Sequence, residues 1–359
     1  MKVLLLVFML GCYATSVSAF YNNLVNPSIY YFTNSHYSLK GVAMGNTGAS
    51  YKNNINGAMI NPATLLADSS IETEECGDFV SLSRPDQFEV ADNIFYEKTK
   101  SFFTGYAKKT DDKVAVGVAL YKDQNVTIRA YEDTSDGKSL DFVLRMNRWT
   151  LSVPISVEVN EQLFVGGSVN FTKIDISQGN DFFPLRGHVD SLLAVVGAYY
   201  KPIEYVSVGA SHRFETKTTQ GTLHEPFGSY TGEIEQTDLP SLTTVGVSFF
   251  PIEALQLTVE QFFHNYGTEA DFSDVTSTRF GLSYTVAKRL SLSAGTYSIP
   301  NYYSTKSHWQ NDIKQAYITY GATLIISDFM DLSIAIQDAS SSNSDITHRD
   351  ALVGFNLKL

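Results

Sequence analysis

The chain has 359 residues, of which 43% are hydrophobic and 18% charged, with 23 Phe and 21 Tyr against 2 Trp. Its net charge of −12 argues against a nucleic-acid binder, whose phosphates require a basic surface. After the N-terminus no apolar stretch reaches about 18 residues, which excludes a bundle of membrane helices. The mean hydropathy of −0.08 suits strands that face lipid on one side only, although a β-sandwich enzyme can share that composition.

The first 19 residues read as a signal for Sec-type export. Lys2 gives the positive start, Val3–Leu10 the apolar run, and Val17, Ser18 and Ala19 the small-residue cleavage site. Cleavage there removes Cys12 and leaves Cys76 alone, so no internal disulfide is expected. Met9 stands where a lipoprotein site has Leu, which makes Cys12 a poor lipidation site. Residues 20–77 then contain Gly41, Gly45, Gly48 and Gly57, five asparagines between Asn46 and Asn61, and no lasting period of 2 or 3.6.

From there alternation takes over. Strands are predicted at 78–84, 99–108, 113–132, 139–159, 162–173, 188–201 and 204–214. Seven more follow at 241–250, 254–264, 276–287, 290–298, 314–326, 330–338 and 349–358. Short turns at Lys109–Asp112, Val159–Gln162, Lys201–Glu204, Pro251–Ala254, Ala287–Arg289 and Ser327–Phe329 rotate with long polar connections. Short turns on one side and long loops on the other are how a bacterial outer-membrane barrel is built, and such barrels have an even strand number. In 162–171, Leu163, Val165, Val169 and Phe171 oppose Gln162, Ser168 and Asn170; in 205–214, Val206 and Val208 oppose Ser207 and Ser211. The second face is small and polar rather than charged, and is expected to line the lumen. Lys122–Asn125 interrupts the third strand as a bulge would.

Catalytic and metal constellations are not found. The seven histidines lack ligand spacing, and no G-x-S-x-G, P-loop or G-x-G-x-x-G is present. His212 lies on the outward parity of its strand, with Ser207 and Ser211 on the other face, so no esterase pair forms. Glu72, Glu74 and Glu75 read as a solvated linker before the first strand, and Asp328 and Asp331 as turn residues. Neither a cofactor nor a metal is expected, and no enzyme.

One segment is more specific. Residues 41–65 read GVAMGNTGASYKNNINGAMINPATL, and resemble the N-terminal region of the FadL-type outer-membrane transporters of hydrophobic compounds. Gly45, Asn46, Gly48 and Ala49 match the family's glycine-rich stretch; Asn61, Pro62, Ala63 and Leu65 match its Asn-Pro-Ala-aliphatic stretch. Leu239-Pro240 leading into a strand with Gly246 near its middle adds to the likeness, which covers the chain in layout and about thirty residues in motif. The C-terminal Leu359 departs from the Phe that ends many such barrels.

The resemblance implies an all-β, transmembrane antiparallel β-barrel of about 14 strands with an N-terminal luminal hatch. Residues 1–19 would be the signal peptide, 20–77 the hatch, and 78–359 the barrel. It implies passive uptake of long-chain fatty acids or hydrocarbons across the outer membrane, gated by the hatch through Gly45, Gly48, Asn61, Pro62 and Ala63. Physics agrees with a hatch, because a barrel much wider than eight strands is not filled by its own side chains. Phe182, Phe183, Pro184 and Leu185 form an apolar loop patch where ligand could dock, or which packs on a neighbouring loop. A wall opening is expected near Lys122–Asn125. The partners implied are a hydrophobic small molecule, membrane lipid and lipopolysaccharide; no oligomer is signalled. The alternative is a PorV-like barrel that binds proteins in a secretion system.

Overall fold

Alternating inward-small and outward-apolar residues give one closed sheet. The computed structural model describes residues 38–52, 55–67, 74–81, 86–90, 93–97, 102–133, 139–179, 185–215, 217–225, 228–232, 240–266, 273–299, 315–338 and 349–358. In chain order the first strands are β1 (Glu74–Ser81), β2 (Asp86–Val90), β3 (Asn93–Glu97), β4 (Phe102–Asp111), β5 (Val114–Asp133) and β6 (Ser139–Asn160). Next come β7 (Leu163–Gly179), β8 (Leu185–Ile203), β9 (Val206–Arg213), β10 (Lys217–Glu225), β11 (Gly228–Gly232) and β12 (Ser241–Ile252). The last are β13 (Leu255–Asn265), β14 (Val275–Ala287), β15 (Leu290–Ile299), β16 (Gln315–Ser327), β17 (Met330–Asp338) and β18 (Arg349–Lys358).

Among the described residues, fourteen of these strands close a ring, because β1 pairs antiparallel with both β18 and β4. The other four form two hairpins, β2–β3 and β10–β11, which pair with the upper parts of β5 and β8. Segments expected to be plain loops thus carry strand, because β5, β6 and β8 run 20, 22 and 19 residues and offer free edges beyond the ring. About 9–11 residues suffice to cross a bilayer, so these strands extend the wall on the long-loop side. The first strand also begins earlier than expected: Glu74 and Glu75 open β1 rather than a linker, and positions 77 and 78 lie within it. The bulge in β5 is present, where pairing with β6 slips between Lys122 and Gln124.

The outer face is apolar. Val118, Val153, Val196, Val247, Val259, Leu282 and Ile334 are exposed in the middle of their strands. Tyr200, Tyr205, Phe249, Tyr284, Phe329 and Phe355 are exposed near the short turns, and Trp149, Phe171, Phe214, Phe263, Phe280 and Tyr320 farther up. Tyr205 and Phe214 are nine positions apart, which at ~3.3 Å per residue and a tilt of ~40° separates the two aromatic belts by ~23 Å. An apolar band of that height between aromatic girdles is the outer surface of a transmembrane barrel. No helix among the described residues is long and apolar enough to cross a membrane.

The inner face corrects one expectation. It is mostly small and polar, with Ser152, Ser156, Ser207, Ser248 and Thr319 buried, but it also carries Arg148, Glu260, Arg279 and Asp350. Glu260 is fully buried. Parity alone put small residues inward and gave no weight to a single charge within an otherwise neutral strand.

Candidate functional site

Residues 38–52 and 55–67 pack against the inner faces of the ring. Ser38 caps helix α1 (Leu39–Ala43), accepting a hydrogen bond from the Gly41 amide. Gly45 and Asn46 then take φ of 73° and 57°, the left-handed region that favours glycine and tolerates asparagine. That pair reverses the chain, so the amides of Gly48, Ala49 and Ser50 follow one another facing the wall. A 3₁₀ turn (Gly57–Met59) leads to Asn61, Pro62 and the short helix α2 (Thr64–Ala67).

Glu260, at the centre of β13, receives those amides. Ala49 N and Ser50 N donate to Oε1 at 2.7 and 3.0 Å, Gly48 N to Oε2 at 3.0 Å, and Ser50 Oγ to Oε1 at 3.0 Å. Consecutive backbone N–H groups around an anion form a nest, and bonds to an ionised acceptor are about twice as strong as neutral ones. Directly across the ladder on β14 stands Arg279. Its Nη1 donates to Asn46 O at 2.6 Å, and its guanidinium lies 3.6 Å from the Phe262 ring centroid. The acid takes the N–H groups of one turn while the base holds its carbonyl. Tyr297, stacked on Tyr317 at 4.7 Å, lies on the far side of Arg279 and donates to Gln337.

Smaller wall groups hold the rest. Thr319 Oγ1 accepts from Gly45 N at 2.8 Å and donates to Ala43 O at 3.0 Å. Ser207 Oγ donates to Ser50 O, Ser50 Oγ meets Ser248 Oγ at 2.9 Å, and Ser156 Oγ donates to Ala63 O. Tyr51 donates to Thr47 O, and burial, followed by the Glu260 charge, pushes its hydroxyl well above the usual tyrosine range, so it stays neutral. The apolar side chains Val42, Ile55, Met59 and Leu65 pack with Phe103, Ala107, Ala115, Ala119 and Tyr121 of the wall.

Asn61 links the two halves of the segment. Its Nδ2 donates to Ala49 O at 2.8 Å and to Ala198 O of β8 at 3.0 Å, and its Oδ1 accepts from Ala63 N at 3.1 Å. With Pro62 as the next residue, it acts as the cap of the turn that runs into α2, where proline's missing N–H costs nothing. A Cβ on Gly166 would sit 2.5 Å from Ala63 N, and one on Gly209 would land on the Ala49 carbonyl oxygen. These two wall positions admit only glycine while the segment is seated, because what they meet is backbone.

The structure places all five predicted hatch residues on the inner side of the ring but on different arcs: Gly45 against β14–β16, Gly48 on Glu260 of β13, and Asn61, Pro62 and Ala63 against β6–β8. Phe182, Phe183 and Pro184 lie outside the described residues, as do residues 1–37 with the signal sequence and Cys12; Leu185 opens β8. Sequence reasoning missed Glu260 and Arg279. Their signal was available: each is the one acid or base in its strand apart from histidine, and each lies near mid-strand on the parity opposite the aliphatic residues Val259 and Leu282. No group of three or more His, Cys, Asp or Glu among the described residues could hold a metal ion.

No protein-family model matches the chain, and no curated protein sequence matches it. Solved structures do. The Pseudomonas putida toluene transporter TodX superposes with a TM-score of 0.73 at 15% identity, over 92% of this chain and 100% of that one. The Ralstonia pickettii toluene transporter TbuX gives 0.68 at 15% identity, over 91% and 99%. A Pseudomonas aeruginosa FadL homologue gives 0.68 at 12% identity, over 91% and 99%. The fold is that of the FadL-type barrels.

Proposed function

We propose that this protein is an outer-membrane channel for the passive uptake of hydrophobic molecules, gated by its N-terminal hatch. The observation that carries the reading is a lipid-facing ring of fourteen strands with a hydrogen-bonded segment seated on its inner face. An open porin needs a clear aqueous path, whereas residues 38–52 and 55–67 stand against the wall around much of the ring. The shared fold adds weight, since two of the superposed barrels are toluene transporters.

In this reading a hydrophobic ligand arrives from the long-loop side, where Phe182, Phe183 and Leu185 offer an apolar docking patch. It then passes when the segment holding Gly45, Gly48, Asn61, Pro62 and Ala63 rearranges. The bulged β5 is the place for a wall opening. The ligand is of the fatty-acid or hydrocarbon class, and export would follow the Sec route.

The test is lipid extraction and native mass spectrometry of protein purified from its own membrane. A co-purifying fatty acid or hydrocarbon, lost on deleting Asn61–Ala63, supports the channel. A stable protein partner with no bound lipid transfers the reading to a secretion-type barrel.

A further inference from the structure

We propose that Glu260 is the residue that holds the hatch closed, one carboxylate acting as the latch between the moving segment and the fixed wall. This rests on reading residues 38–67 as the gate.

Several observations converge on Glu260. It is fully buried, yet it sits in a strand whose neighbouring inward side chains, Thr258 and Phe262, are neutral. Its carboxylate is not shared among wall groups: the hydrogen bonds it accepts from Gly48, Ala49 and Ser50 all come from the hatch. A buried carboxylate is stable only when its oxygens are hydrogen-bonded. The seated hatch supplies those bonds, and an unseated hatch leaves the charge to water. The ring has no need of the charge for its own ladder, since β13 pairs with β12 and β14 through backbone groups on either side.

The partner surface matches. Amides 48–50 come into line because Gly45 and Asn46 hold left-handed φ, and Arg279 secures the Asn46 carbonyl next to them. The contact is also local. Wall groups such as Thr319 and Ser156 hold the hatch by one or two neutral hydrogen bonds each, whereas Glu260 accepts four. Loss of the ionised acceptor therefore removes the strongest single tie between segment and wall.

The experiment uses the refolded barrel in planar lipid bilayers, with heat-modifiable migration on gels as the check that the ring has formed. The parent is expected to be silent to ions, and Glu260→Ala to open, with an open probability raised by more than about 100-fold, since loss of even two of its four charge-assisted hydrogen bonds produces that factor. Ser50 and Ser248, whose hydroxyls touch, supply the rescue. Ser50→Cys with Ser248→Cys, in a background with Cys12 and Cys76 changed to Ser and oxidised during refolding, is expected to silence Glu260→Ala, and reduction to reopen it. Glu260→Gln, which keeps the shape without the charge, is expected to open to an intermediate degree, and it carries the test if Glu260→Ala does not form the ring.

A formed ring that stays silent without the carboxylate overturns the proposal. So does an opening that the cross-link fails to close. The channel reading fails separately, by absence of hydrophobic uptake in the parent protein, and conductance does not enter that result.

Discussion

Gly166 and Gly167 are neighbours on β7 that face opposite sides of the wall, and they give a matched test of how the hatch is seated. An added Cβ at Gly166 meets Ala63 N at 2.5 Å, Pro62 C at 2.6 Å and Ala63 Cα at 2.9 Å, all backbone atoms. At Gly167 the nearest atom is Val195 O at 3.7 Å, an ordinary contact. Overpacking of this kind costs about 1–3 kcal/mol, so Gly166→Ala should favour the unseated hatch by roughly 5- to 150-fold. Gly167→Ala should leave the hatch alone and help the strand by up to about 1 kcal/mol, because glycine is entropically costly there. Hydrogen exchange reads this directly. The amides of Ala63, Thr64 and Leu65, which bond to Asn61 and Pro62, should exchange faster by that factor in Gly166→Ala and at the parent rate in Gly167→Ala. Equal exchange in the two variants would refute close seating of the Asn-Pro-Ala stretch on β7.

Other substitutions probe separate parts of the structure. Asn61→Ala deletes two donated bonds and one accepted bond, at about 1–3 kcal/mol for each buried group left unsatisfied; limited proteolysis should cut within 38–67 while the ring keeps its heat-modifiable migration. Arg279→Met keeps apolar contact with Phe262 but loses the bond to Asn46 O, a charged bond of about 1.5–3 kcal/mol, and amide exchange at residues 48–50 should rise. Val247→Arg places a charge on the exposed apolar face at mid-strand and should cost about 2–4 kcal/mol of stability in lipid vesicles, measured by urea unfolding.

The barrel was legible because period 2 is a strong signal over fourteen strands and lipid enforces it. Val165, Val169 and Phe171 face out and Ser168 and Asn170 in, as their alternation required. The hairpins β2–β3 and β10–β11 were not legible: whether a polar stretch pairs depends on how far β5 and β8 project, which is a property of the assembled wall. In the lumen, glycines and the Asn-Pro-Ala stretch could be seen, but their partners could not. Glu260 lies 210 positions or more from the amides it accepts, and no local pattern connects them. His212 faces outward and meets Thr243 of the neighbouring strand β12, a cross-strand pair that alternation within β9 could not show.

The central claim is passage of hydrophobic molecules, and uptake measures it. The chain would be expressed in a bacterial host lacking its own channel for such compounds, and entry of labelled oleate, toluene and sucrose followed over time. Uptake of oleate or toluene well above the empty host, with sucrose unchanged, is the predicted result. Hydrophobic uptake at the level of the empty host, or sucrose entering as readily as oleate, would contradict the account.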